Sequence, residues 1–274
     1  MFSNIFKNLR EKSPLVHCIT NYVTVNDCAN ILIACNGSSI MSDDSLEVEE
    51  ITSICGGLNI NIGTLNKNTI ESMFLAGKKS NELNHPVILD PVGAGASKLR
   101  TDTAKELLDK IKFTVIRGNI SEIKTLALGF GTTKGVDADI ADAITEESLE
   151  EIINFTKDFS KKTGAIIAIT GSIDIVCNDN KVYIIRNGHP MMSKITGSGC
   201  MLTAMTGAYL VANPENYLEA TAASLCAMGI AGELAYKKLE ETGAGNSSYR
   251  NYLIDEIYNL TAEKLDGGAK FEVR

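Results

Sequence analysis

The chain of 274 residues has no tryptophan, only three histidines and 6% aromatic residues. Few rings alongside abundant Ala, Gly and Ile leave small residues for helix–sheet contacts, which suits an α/β protein with a well-buried core. A cationic excess is missing too: 26 Lys and Arg stand against 34 Asp and Glu, a formal charge of −8. This argues against a nucleic-acid or anionic-membrane surface as the main partner, so a bound anion must be captured locally. No C-x-x-C occurs among the seven cysteines Cys18, Cys28, Cys35, Cys55, Cys177, Cys200 and Cys226. Odd in number and mostly in apolar runs, they read as reduced thiols of a cytoplasmic protein, not a disulfide framework or zinc cage. The first sixteen residues lack an uninterrupted apolar core and do not read as a secretory signal. The uncharged stretch 220–232 is shorter than a bilayer requires and reads as a core helix. With no internal repeat, low-complexity block or linker, residues 1–274 read as one domain.

Apolar periodicity and turn residues predict helices over 1–12, 23–35 and 66–83, and one opening at Ser42-Asp43-Asp44-Ser45. Further helices are expected over 101–111 and 146–160, after Arg117-Gly118-Asn119, from Thr196 to about 211, and over 217–240 and 249–265. Strands are expected at 15–20, 38–41, 58–62, 87–90, 113–116 and 165–169, with a hairpin of 174–177 and 182–185. In 58–62, Asn59 and Asn61 alternate with apolar residues. Residues 129–145, rich in Gly, Thr, Asp and Ala, carry no assignment. Buried strands alternating with helices imply a mainly parallel sheet covered on both faces, with ligands beyond the carboxyl ends of the strands. Asn21, Met41, Asp90, Arg117-Gly118-Asn119 and Thr170-Gly171 each fall at or just beyond such an end. That regularity marks a site.

Its centre is Thr196-Gly197-Ser198-Gly199-Cys200, a tight turn running into an uncharged Ala/Gly/Met helix. Free first-turn N–H groups and the helix dipole make such a turn an anion site, and their field would favour a thiolate at Cys200. Asp90, followed by Pro91-Val92-Gly93-Ala94-Gly95, can serve as an oxygen ligand for a phosphate-bridging metal or as a turn-former. Asn119 and Glu122 share the first turn of a helix, where a capping box explains the spacing as well as catalysis does. Arg117 ends a buried strand and calls for an anion, and phosphate suits its planar fork. Thr170-Gly171 supplies a hydroxyl and close backbone, or simply a turn. His17 and His85 read as structural; His189 is ambiguous. Met41 suits either core or a small heteroaromatic ligand.

Taken in order, His17-Cys-Ile-Thr-Asn21-Tyr-Val23, Leu89-Asp90-Pro-Val-Gly-Ala-Gly-Ala96, Arg117-Gly-Asn119-x-x-Glu122, Ile169-Thr170-Gly171 and Thr196-Gly197-Ser198-Gly199-Cys200 closely resemble hydroxyethylthiazole kinase of the ribokinase-like superfamily. The resemblance runs from about residue 14 to 240. It implies a three-layer α/β/α fold without the lid of the sugar kinases, commonly a homotrimer with active sites between subunits. It implies ATP-dependent phosphorylation of 4-methyl-5-(2-hydroxyethyl)thiazole for thiamine salvage, with magnesium. Carried over by position, Asn21, Val23, Met41 and Gly197 lie on the thiazole side. Arg117, Asn119, Thr170 and Gly171 lie on the nucleotide side, Asp90 and Glu122 serve magnesium, and Gly197, Ser198, Gly199 and Cys200 form the catalytic turn. Two departures stand out: Ser198 where the family often has Thr, and the acidic Ser42-Asp43-Asp44 after Met41.

Phosphoryl transfer to an alcohol is catalysed mostly by positioning and charge stabilisation. Cys200 would then orient the hydroxyl and assist late proton removal, without a covalent intermediate. Three other readings use the same residues: a hydroxymethylpyrimidine-type alcohol kinase, a cysteine hydrolase pairing Cys200 with His189, and a non-catalytic nucleotide- or thiazole-binding regulator.

Overall fold

Alternate residues of each strand go to opposite cores, and this makes the architecture three-layered. In β4 (Val87–Asp90), Val87 and Leu89 join one apolar cluster and Ile88 the other. The computed structural model describes residues 1–129 and 144–274. Most of the unassigned stretch 129–145 therefore lies outside the described residues.

Six strands pair in parallel: β1 (Leu15–Ile19), β2 (Ser38–Met41), β3 (Gly57–Asn61), β4, β5 (Val115–Asn119) and β6 (Ile166–Thr170). The hairpin β7 (Asp174–Cys177) and β8 (Val182–Ile185), then β9 (Phe271–Val273), extend the sheet antiparallel. The spatial order is β2-β1-β3-β4-β5-β6-β7-β8-β9. One face carries α1 (Ser3–Lys12), α2 (Val25–Ala34), α8 (Ser198–Ala212), α9 (Tyr217–Thr242), α10 (Asn246–Tyr258) and α11 (Ala262–Gly268). The other carries α3 (Val48–Ile54), α4 (Lys67–Glu82), α5 (Lys98–Lys110), α6 (Ile120–Leu128) and α7 (Leu149–Thr163). The expected α/β class and covered, mainly parallel sheet are what the chain adopts, with a mixed edge.

Helix α8 is apolar all round because it lies under other helices as well as on the sheet, against β1, β3 and β4. Helix α9 is long and apolar enough to cross a membrane, but 83% of its apolar window is buried within the fold. Its composition serves the core.

Three expectations need correction, and one strand lies outside them all. The segment at Ser42 is a turn, and the helix starts at Val48: Asp44 Oδ1 accepts the Leu46 N–H and the Ser42 hydroxyl donates to Glu47, so local side-chain bonds replace helical ones. Strand β5 runs on through Arg117 to Asn119, since β6 offers register partners as far as Thr170. The region 249–265 is two helices, broken before Thr261, whose hydroxyl caps α11 by accepting the Lys264 N–H. Strand β9, too short and polar to announce itself, packs Phe271 against Phe2 and Tyr183.

Candidate active site

The carboxyl ends of β1, β3, β4, β5 and β6 converge on the N-terminus of α8. Gly197 adopts φ +86° there, the left-handed region that lets the chain turn directly into the helix. A Cβ on Gly197 would come within 2.6 Å of Thr24, and one on Gly199 within 2.6 Å of the Arg117 guanidinium. Gly197 is therefore required by its positive φ and by close approach, while at Gly199 a larger residue would displace the guanidinium. Among the described residues no side-chain hydrogen bond caps this helix end. Ser198 and Gly199 face a cavity of about 540 Å³ that also takes in Arg117, Thr170, Gly171 and Asp174.

Arg117 is held from two sides. Its Nη2 donates to Thr170 Oγ1 at 2.5 Å, and its Nη1 lies 3.6 Å from Asp90 Oδ2. Asp90 is fully buried; Oδ2 also accepts from Asn61 Nδ2 at 3.0 Å and Thr203 Oγ1 at 2.8 Å. Its other oxygen, Oδ1, is buried without a hydrogen-bond partner among the described residues, as is Arg117 Nε. Burial pushes the Asp90 carboxyl above the usual range, against the pull of Arg117, Thr203 and Asn61.

Glu122 is committed to backbone. Oε1 accepts the Gly93 N–H and Oε2 the Asn119 N–H, each at 2.8 Å, while Asn119 Oδ1 accepts the Glu122 N–H at 2.9 Å. The capping box left open by the sequence is present. Burial and then the neighbouring Asp90 charge raise the Glu122 carboxyl. Among the described residues no group of three His, Cys, Asp or Glu side chains could hold a metal. Magnesium bound to phosphates needs only one or two carboxylates, with water completing its shell. The orphaned Asp90 Oδ1, with Glu122 beside it electrostatically, fits that demand.

Cys200 Sγ accepts N–H groups from Asn21 and Asn61, both at 3.3 Å. Burial, then the Asp90 charge, raise its pKa above the ordinary thiol value, outweighing the bonds from Thr24, Asn21 and Asn61. Burial thus works against the thiolate that the helix field would favour, and it is the largest influence on this sulfur. His189 is engaged elsewhere. Its Nδ1 accepts the Met191 N–H and its ring stacks on Tyr236 at 3.5 Å, so the described residues show no Cys–His pair.

Of the thiazole-side positions, Asn21 is buried with its side chain fully occupied: Oδ1 accepts from Thr24 N and Oγ1, and Nδ2 donates to Asn61 and Cys200. Met41 lines a cavity of about 230 Å³ with Thr20, Tyr22, Asp43 and Thr64. Val23 is 58% exposed beside Tyr22. His17 is structural as expected, bonded to Thr52 Oγ1 and the Ser42 carbonyl.

Sequence reasoning missed Asn61, Thr203 and Asp174. The alternation in 58–62 puts Asn61 on one face of a strand, yet every residue of β3 is buried. A buried amide in a central strand was the available signal. Thr203 lies one turn beyond Gly199 and faces Asp90. Asp174 opens β7, and its Oδ1 accepts the Gly171 N–H at 2.9 Å.

The Hydroxyethylthiazole kinase family model matches residues 6–263. A hydroxyethylthiazole kinase of Clostridium acetobutylicum is 66% identical over 272 residues, covering 99% of both chains. The structure of a hydroxyethylthiazole kinase protein from Pyrococcus horikoshii OT3 covers 100% of this chain and 98% of its own, at 33% identity and TM-score 0.87. A ribokinase-like superfamily protein from Enterococcus faecalis, 11% identical, shares the fold alone, with TM-score 0.60 over 94% of this chain and 89% of its own. An uncapped helix end between a cavity of about 540 Å³ and the Cys200 sulfur is thus set in a chain that belongs to the hydroxyethylthiazole kinase family.

Proposed function

We propose that this protein, as one catalytic domain spanning 1–274, transfers the γ-phosphoryl group of ATP to the hydroxyl of 4-methyl-5-(2-hydroxyethyl)thiazole in thiamine salvage, in the cytoplasm. The observation that carries the reading is the uncapped α8 N-terminus, with Arg117 against its second residue and Cys200 on its third. Family membership supplies the identity of the alcohol.

The first-turn N–H groups of α8 stabilise the phosphoryl oxygens in flight, and Arg117, set by Thr170, grips phosphate. Thr170 and Gly171 border the nucleotide cavity; Asn119 acts through its cap, which fixes Glu122. Magnesium, which Asp90 and Glu122 would hold, supplies neutralisation of the phosphate charge when bound. The alcohol oxygen forms its bond to Pγ as the bond from Pγ to ADP breaks. The hydroxyl proton leaves late, onto a phosphoryl oxygen, so a protonated Cys200 suffices to orient the alcohol. Asn21, Met41, Val23 and Gly197 border the alcohol side. The exposed Val23 and Tyr22 support a homotrimer in which a neighbouring subunit completes that side.

The test is ADP release with and without the thiazole alcohol, repeated with EDTA. Thiazole-dependent ADP that EDTA abolishes is expected; its absence with magnesium present sinks the reading. A hydroxymethylpyrimidine tested in parallel separates the rival alcohol kinase, and binding without ADP formation would identify a regulator.

A further inference from the structure

Asn61 holds a position that neither the motifs nor the family resemblance assigns. It ends β3, is almost fully buried, and spends every hydrogen-bonding capacity of its amide. Oδ1 accepts the Gly63 N–H at 2.9 Å and Asn21 Nδ2 at 3.1 Å; Nδ2 donates to Asp90 Oδ2 at 3.0 Å and Cys200 Sγ at 3.3 Å. The orientation is unambiguous, because a backbone N–H can only donate and so fixes which end of the amide is oxygen. The same amide therefore links the phosphate side of the site, through Asp90, to the alcohol side, through the sulfur.

We propose that Asn61 is the positioning residue that sets the Cys200 sulfur relative to Asp90, so that alcohol and phosphate are aligned by one rigid bridge. Cys200 sits in the first turn of α8, where its own helix leaves the side chain free to choose a rotamer. Two amides from neighbouring strand ends, Asn21 after β1 and Asn61 on β3, remove that choice by donating to the sulfur. Only Asn61 also touches Asp90. An amide does this better than a carboxylate or hydroxyl: it offers two donors in one plane while its oxygen is anchored to backbone. Its loss leaves substrate binding sites intact and misplaces the reacting groups, an effect on turnover rather than on affinity.

The inference rests on the kinase reading, and its test separates the two. Wild-type protein without thiazole-dependent ADP release fails that reading before any variant is made. Given wild-type turnover, Asn61→Ala is expected to lower kcat about 10- to 100-fold with KM for ATP and alcohol within about threefold. In a Cys200→Ala background the same change is expected to cost less than about threefold, because the group it positions is gone. Equal losses in both backgrounds, or a raised KM with unchanged kcat, overturn the role. If Asn61→Ala does not fold, Asn61→Ser replaces it, a neutral polar side chain too short to bridge Asp90 and Cys200 together.

A second readout needs no turnover. Cys200 is the one cysteine not buried among the described residues, so iodoacetamide reports on it selectively. Losing the Asn61 donor is expected to move the midpoint of its alkylation against pH upward. An unchanged midpoint in a folded Asn61 variant overturns the bridge.

Discussion

Helices α6 and α8 both begin at the carboxyl edge of the sheet, and the chain finishes them in opposite ways. At α6, Asn119 and Glu122 satisfy each other's backbone N–H groups in a reciprocal box. At α8 the N-cap is Gly197, which has no side chain to offer. A side-chain cap is worth about 1 kcal/mol, so α8 forgoes stabilisation that α6 takes. The closed end builds scaffold: Glu122 also receives the Gly93 N–H and thereby fixes the loop after Asp90. The open end presents its first turn at the border of the larger cavity. A helix terminus can be capped by side chains or left without such a cap, and among the described residues this molecule does one of each.

Closing the open end should have the largest effect. Gly197→Asp places a carboxylate at the N-terminus of α8, and kcat/KM for ATP is expected to fall by more than about 100-fold. Gly197→Ala, measured alongside by ADP release, separates the strain of the new Cβ from the charge. Near-normal turnover in Gly197→Asp would mean that the γ-phosphoryl group is handled elsewhere. Next in size, Arg117→Gln removes the guanidinium packed on Gly199, and KM for ATP is expected to rise about 10- to 100-fold.

Opening the closed end should act on stability instead. Asn119→Ala is expected to cost about 1 kcal/mol in denaturant unfolding, with KM for ATP within about threefold. A larger rise would show that Asn119 contacts nucleotide. The smallest effect concerns Asp174, on the open side, whose carboxyl burial raises to about 7. A raised carboxyl favours the protonated native state, so its contribution is complete below the ordinary range near 4 and is lost as pH rises through about 7. Ligand-free wild type should lose a few degrees of thermal midpoint across that window, and Asp174→Asn should show a shallower slope. Identical slopes would mean that Asp174 ionises normally.

Much of this site is legible in the chain itself, for a local reason. Gly197, Asp90, Arg117 and Thr170 stand at strand or helix ends that turn residues and apolar periodicity announce. The Asn119–Glu122 box is likewise a contact three residues apart. Asn61 escaped because its four partners come from Asn21, Gly63, Asp90 and Cys200, and only Gly63 is near in sequence. The turn at Ser42 is held partly in this way, by His17 of β1 against its carbonyl, beside the local bond to Glu47.

By itself the sequence determined the α/β class, the sheet edge at which its motif residues gather and the residue types found there, because strand ends and glycine turns are set by short-range geometry. Tertiary structure alone decided what those residues do to one another. Burial raises the Cys200 thiol where the helix field alone would favour a thiolate, and one Asp90 oxygen has no partner among the described residues. Desolvation depends on everything packed around a group, and no stretch of chain carries that information alone.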